Sequence, residues 1–210
     1  MTKNTLVLIY NKLYKSFGLQ HWWPAKTKFE VMVGAILTQN TAWGNVEKAI
    51  ASLRKENLLS PQKLLKLPLR HMASLIKSCG YYNVKAKRLK NFLKFIKKKG
   101  GVAKLFKEDP FVLRRELLEV NGVGEETADS ILLYAGNLPF FVVDAYTKRI
   151  LYRHNLIDKK ADYAHVQKLF MDNLKRDADL FNEYHALLVK VGKHYCKKKA
   201  DCGNCPLKGV

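Results

Sequence analysis

The chain has 210 residues, 48% of them hydrophobic and 27% charged, with 38 Lys and Arg against 18 Asp and Glu. A formal charge of +20 on so short a chain points to a polyanionic partner, nucleic acid being the simplest, while the apolar fraction excludes a disordered chain. The length allows one sizeable core or two small lobes. The apolar run 6–10 is too short for a membrane or secretory segment and is broken by Asn11 and Lys12, so a cytoplasmic, nucleoid-associated protein with no membrane partner is expected.

Leu6, Ile9, Tyr10, Leu13 and Phe17 fall on one face of a helix that closes at Gly18. Gln20-His21-Trp22-Trp23-Pro24 breaks the pattern, because Pro24 disfavours the helical conformation in the residue before it. Two adjacent tryptophans in a loop read equally as core and as a stacking pocket for an extruded base, stiffened by Pro24. Phe29, Met32, Val33, Ile36 and Leu37 recur at i, i+3, i+4, i+7 and i+8, the mark of a buried helix running to Thr38, and the polar pair Gln39-Asn40 follows at its end. Ser60-Pro61 and Asp109-Pro110 each read as N-cap followed by N1. Between residues 57 and 107 there is no Asp or Glu, while Lys85, Lys87 and twelve further Lys and Arg fall there. That basic face is either solvated or tracks phosphates. With about six phosphates neutralised, log K falls against log salt with a slope near −5, whereas a merely solvated face shows almost none.

Leu113, Leu117 and Leu118 recur at helical spacing and stop at Asn121-Gly122-Val123-Gly124; a second helix follows, with Thr127, Ala128, Ile131 and Leu132 as its packing face and Glu125 and Glu126 in its first turn. Two helices joined by a G-V-G turn read either as an ordinary tight connection or as a pair laying backbone amides against one DNA phosphate, which positions a duplex without reading its sequence. The apolar run 138–143 is an extended connector ending in Asp144, placed as the N-cap of a helix that carries Lys148, Ile150 and Leu151. Two more amphipathic helices follow, around Val166, Leu169 and Phe170 and around Tyr184, Leu187, Leu188 and Val191. No segment alternates like a strand, so the fold class expected is all-α. Cys196, Cys202 and Cys205 form a C-x5-C-x2-C run flanked by lysines. In a reducing compartment this argues for a metal or inert thiols over disulfides, and Cys79 reads as a buried inert thiol.

Taken together the motifs resemble the endonuclease III superfamily of helix-hairpin-helix DNA base-excision glycosylases. The carriers are the G-V-G turn with Thr127-Ala128 behind it, Val142-Val143-Asp144 with Arg149 five residues on, the stretch 29–49, and Gly80-Tyr81-Tyr82-Asn83 with Lys85-Ala86. Trp22-Trp23-Pro24 before the first large helix is similar to the bacterial 3-methyladenine glycosylases of endonuclease III type, in which that motif lines the base pocket, and Trp43 matches an aromatic of the alkylpurine enzymes. The resemblance implies a barrel lobe over residues 20–134, a second lobe from 1–19 and 135–210, and a base-binding cleft between them. It implies that Asp144 is catalytic and that Trp22, Trp23 and Pro24 line the base pocket, with Trp43 a third aromatic that reads equally as packing; Glu126 either lines the pocket or favours the helix N-terminus. Gln39 and Asn40 would fill the gap left by a flipped nucleotide, with Asn121, Gly122, Val123, Gly124, Thr127, Lys85, Lys87 and Lys148 also on DNA.

One departure is informative: the bifunctional members carry a lysine where this chain has Glu126, and without that amine no Schiff base forms there. A monofunctional glycosylase is therefore expected, acting as a monomer on double-stranded DNA and hydrolysing off an alkylated purine such as 3-methyladenine, whose positive charge an aromatic wall attracts. The rivals are a bifunctional glycosylase and lyase for oxidised pyrimidines, and a non-catalytic DNA-binding module. The cysteine spacing is close to the family's iron-sulfur loop, which has four cysteines and one more residue in the first gap. A fourth cysteine would be expected directly after Val210. A [4Fe-4S] cluster is the first expectation, no metal the second and zinc the third.

Overall fold

The computed structural model describes residues 3–210 and contains, among them, helices and connecting segments only. In chain order the helices are α1 (Lys3–Phe17), α2 (Lys28–Leu37), α3 (Trp43–Lys55), α4 (Pro61–Lys66), α5 (Leu69–Leu75), α6 (Tyr82–Lys98), α7 (Val102–Leu105), α8 (Pro110–Glu119), α9 (Glu125–Ser130), α10 (Ala145–Arg153), α11 (Tyr163–Asn173) and α12 (Ala178–His194). A 3₁₀ turn at Lys77–Cys79 precedes α6, and a π-helical turn at Ile131–Ala135 continues α9. No helix among the described residues is long and apolar enough to cross a membrane. The chain divides into two compact units, Ala25–Gly136 on one side and Met1–Pro24 with Asn137–Val210 on the other.

Within the unit Ala25–Gly136 the organising element is α2. Thr27 caps it, its hydroxyl accepting from the Glu30 amide at 3.1 Å, and every residue from Phe29 to Leu37 is buried. A helix with no solvated face must sit at the centre of its unit. The one charged residue of that buried run, Glu30, is held by Arg54 at 2.7 Å. Around it, α6 turns Leu89, Phe92, Leu93 and Ile96 inward, and Ser60 and Asp109 cap α4 and α8 through side-chain oxygens that accept backbone amides. The π-helical turn ends at Gly136, where a Cβ would stand 2.6 Å from the Leu132 carbonyl and 2.7 Å from the Phe106 ring. Only glycine allows that approach.

The second unit is built on stacked aromatics. Phe141, from the extended connector, lies parallel to Phe170 of α11 with centroids 3.6 Å apart, and meets Phe181 and Tyr184 of α12 edge-on. The buried Tyr184 hydroxyl donates to the Leu6 carbonyl of α1 at 2.8 Å, so its polar tip is satisfied. Gln167 donates to the Phe141 carbonyl at 2.8 Å and fixes the connector itself. Helices α10 and α12 come together at Gly192, where a Cβ would lie 2.5 Å from the Tyr146 ring. Arg149 stacks on that ring at 4.9 Å and donates to the Cys196 and Gly192 carbonyls.

Candidate functional site

In the unit Ala25–Gly136 the hairpin between α8 and α9 is locked from beneath. Arg114 of α8 makes a bidentate pair with the fully buried Asp129 of α9, at 2.7 and 3.0 Å, a geometry that fixes orientation as well as charge. The turn needs only one of its two glycines for conformation: Gly122 has φ 95°, whereas Gly124 caps α9 in an extended conformation. A Cβ on Gly122 would lie 2.2 Å from Cγ of Arg88, so the α6 side chain and the turn are in close contact. Gln39 joins them further. Its amide nitrogen donates to the Gly122 carbonyl and the Thr127 hydroxyl, both at 2.9 Å, and its oxygen accepts from Arg88 at 2.6 Å. The whole amide is engaged inside the protein. Gln39 is thus a tether of the hairpin, and its neighbour Asn40, exposed and left-handed at φ 50°, is the amide of the pair that projects.

A second projecting residue escaped the sequence reading. Tyr81 is 76% exposed and left-handed at φ 44° where α6 begins, an unusual state for a bulky residue. The sequence carried only the Gly80-Tyr81-Tyr82-Asn83 match; the backbone strain was not visible in it.

Lys87, Asn91, Lys94 and Lys98 follow one another at i, i+4, i+7 and i+11 on α6, and form one face. Lys87, Lys94 and Lys98 are exposed, and Asn91 donates to the Asn121 carbonyl at 3.2 Å, so this stripe runs up to the hairpin turn. Not every cation of the basic stretch belongs to it. Lys85, expected on DNA, is instead 2% exposed, and its ammonium donates to the Leu37 and Cys79 carbonyls at 2.8 Å and to the Thr41 hydroxyl. Lys90 donates to the Leu65 carbonyl at 2.6 Å, and Lys99 pairs with Glu108 and Glu116. Glu126 is exposed at the first turn of α9, with its carbonyl accepting from Ser130, and Val123 is buried within the turn. Trp43 opens α3 and its indole donates to Glu47 at 2.9 Å.

In the other unit Asp144 caps α10, Oδ1 accepting from the Thr147 amide at 2.7 Å. Its side chain is 11% exposed, and Oδ2 stands 3.8 Å from Nε2 of the buried His185. Burial pushes the His185 pKa below its usual 6.5, against the opposing pull of Asp144 and with a smaller contribution from Lys193. The imidazole is therefore neutral near pH 7. The Trp22 and Trp23 rings meet edge to face at 5.7 Å. Their loop is tied down by Glu183 of α12, whose carboxylate accepts from the Gln20 amide at 2.9 Å. Lys193 holds its ammonium 5.7 Å from the Trp22 ring centroid, so that ring already faces a cation. Lys148, also expected on DNA, donates to the Ala161 carbonyl at 3.1 Å.

Cys196 is buried, with Arg153 3.4 Å from its sulfur, while Cys202 is exposed and Cys205 half-buried. Burial pushes the Cys205 thiol up. Among the described residues no three His, Cys, Asp or Glu side chains converge on a point that would hold a metal ion.

The sequence matches the HhH-GPD superfamily of base excision DNA repair proteins over residues 33–176. It is 51% identical over 216 aligned positions to a protein of Methanocaldococcus jannaschii that carries the name DNA repair glycosylase, with 99% of this chain and 97% of that one covered. The fold superposes on a 3-methyladenine DNA glycosylase of H. pylori bound to 1,N6-ethenoadenine, with a TM-score of 0.76, 27% identity and coverage of 92% and 98% of the two chains. It also superposes on endonuclease III in a non-covalent DNA complex, with a TM-score of 0.84, 22% identity and coverage of 99% and 94%, a likeness of fold alone. The chain belongs to the HhH-GPD superfamily. Its members and its relatives of this kind are DNA glycosylases, and the chain is accordingly a DNA glycosylase.

The α6 stripe makes a quantitative prediction. Replacing Lys87 by Ala weakens binding to an undamaged duplex uniformly across sequences and lowers the slope of log K against log salt by about one; titrations at several salt concentrations read this directly.

Proposed function

We propose that the protein removes an alkylated purine from duplex DNA by hydrolysis, leaving an abasic site and an intact strand. The observation that carries the proposal is Asp144: nine-tenths buried, fixed by its own helix cap, and set beside a neutral imidazole. With Oδ1 committed to the cap, Oδ2 is left to stabilise the positive charge that develops on the sugar as the glycosidic bond lengthens, and to orient the incoming water. A carboxylate already held in place needs no reorganisation in the transition state.

Base removal first requires extrusion, at a cost of a few kcal/mol that a damaged base lowers. Asn40 and Tyr81 are proposed to enter the duplex, the amide by hydrogen bonding and the ring by stacking, each contact of the latter kind being worth roughly 1–3 kcal/mol. The hairpin Asn121-Gly122-Val123-Gly124 and the Lys87, Lys94, Lys98 stripe are assigned to backbone phosphates. Trp22, Trp23 and Pro24 are assigned to the extruded base, which the similarity to the H. pylori enzyme supports. Because Lys193 already stands over Trp22, like-charge repulsion favours neutral alkyl adducts such as 1,N6-ethenoadenine over the cationic 3-methyladenine nucleotide. That reverses the attraction expected of a bare aromatic wall. Glu126 supplies no amine for a Schiff base.

Cys196, Cys202 and Cys205 are proposed to hold a [4Fe-4S] cluster in company with a further ligand; when bound, it fastens the C-terminal loop and takes no part in hydrolysis. Iron and acid-labile sulfide assays of the purified protein check this, several irons per chain being expected and none contradicting it.

The activity is tested by single-turnover release from duplexes carrying 1,N6-ethenoadenine or 3-methyladenine. Asp144→Asn is expected to lower the rate by at least about 100-fold while leaving duplex affinity within about twofold, since the amide keeps the cap. An unchanged rate for Asp144→Asn contradicts the assignment.

A further inference from the structure

Three features of the unit Ala25–Gly136 converge on one buried amine. Asn40 and Tyr81, the two exposed residues with left-handed backbone described above, lie on separate turns: one is in the segment between α2 and α3 and the other precedes α6. Those turns meet where the Thr41 hydroxyl donates to the Cys79 carbonyl at 2.6 Å. Lys85 lies beneath the meeting point. It is rooted in the first turn of α6, its own amide donating to the Tyr81 carbonyl at 2.9 Å. Its ammonium takes the Leu37 carbonyl at the end of α2, the Thr41 hydroxyl and the Cys79 carbonyl.

An ammonium has three donors, and here three acceptors from two stretches, 37–41 and 77–79, match them one for one. All three partners are dipolar oxygens; no carboxylate is among them. Burial lowers the Lys85 pKa, the Cys79 thiol and the Arg88 guanidinium being the titratable and charged groups it faces. A buried amine kept on these terms is costly. A hydrophobic residue would fill the volume but would make none of these bonds between the two stretches.

We propose that Lys85 is a positioning residue that makes the Asn40 turn and the Tyr81 turn one rigid edge, so that both side chains enter the duplex together. The inference rests on the reading that Asn40 and Tyr81 insert, and it gives Lys85 a role in extrusion in place of the phosphate contact its charge suggests. Misplacing inserted groups by as little as about 1 Å is enough to slow a step by up to 100-fold.

The test is stopped-flow fluorescence of a duplex that carries 2-aminopurine beside a tetrahydrofuran abasic analogue, mixed with full-length protein. Asn40→Ala and Tyr81→Ala are expected to slow the fluorescence rise by about tenfold, and Lys85→Met by about 10–100-fold. Lys85→Met should leave affinity and salt slope on an undamaged duplex unchanged. Adding Tyr81→Ala to Lys85→Met should cost no more than about twofold beyond Lys85→Met, because groups acting as one unit are non-additive. If Lys85→Met does not fold, Lys85→Gln keeps a polar end but cannot supply three donors; slowed extrusion supports the proposal and a wild-type rate overturns it. A wild-type rate for Lys85→Met alongside slow Asn40→Ala and Tyr81→Ala overturns the role of Lys85 alone, as does a salt slope reduced by about one. Wild-type rates for Asn40→Ala and Tyr81→Ala instead overturn the insertion reading, and the proposal with it.

Discussion

A carboxylate that is to meet a developing positive charge must be held still, and in this protein that condition is met by the start of α10. The Thr147 amide fixes Oδ1 of Asp144, so the carboxylate direction is set by the helix. The helix in turn is set by α12: Tyr146 lies in the space a side chain on Gly192 would occupy, and Arg149 spans from the Tyr146 ring to the Cys196 and Gly192 carbonyls. His185 belongs to the same packing, and its burial keeps it neutral. The aromatic stack on Phe141 anchors the connector that leads into Asp144. The candidate chemistry is therefore a property of how two helices pack, with no mobile loop needed to orient the acid.

The unit Ala25–Gly136 solves a different problem. It carries a dense run of cations and must present some outward without letting their repulsion loosen the fold. The division is made by hydrogen bonding. Lys85, Lys90 and Lys99 turn inward to carbonyls, a hydroxyl and carboxylates, while Lys87, Lys94 and Lys98 remain exposed on one face of α6. Gln39 and Arg88 carry that face to the hairpin turn. Polar networks of this kind are stable only when each member is satisfied, and every polar group of the Gln39 amide has its partner.

Local chemistry made part of this legible in the sequence. Ser60, Asp109 and Asp144 are caps whose partners lie within three residues, so their role is written in a few letters, and the buried face of α2 follows from apolar spacing. Long-range partners were not legible. Lys85 looks like a surface cation until Leu37, 48 residues away, supplies a carbonyl. Gln39 looks like an available amide until Gly122 takes it, 83 residues on. The cation over Trp22 comes from Lys193, near the far end of the chain. The π-helical turn at Ile131–Ala135 leaves no distinctive period over so few residues, and the left-handed backbone at Tyr81 is a conformation that composition does not announce.

The central claim is hydrolysis without a covalent enzyme intermediate, and it is tested most directly by borohydride trapping during single-turnover reactions on duplexes carrying 1,N6-ethenoadenine or thymine glycol. Release of the alkylated purine, an abasic site and no protein–DNA adduct are expected in the presence of borohydride. Release of the oxidised pyrimidine with a trapped adduct would contradict the claim and would require an amine nucleophile that the position of Glu126 does not provide.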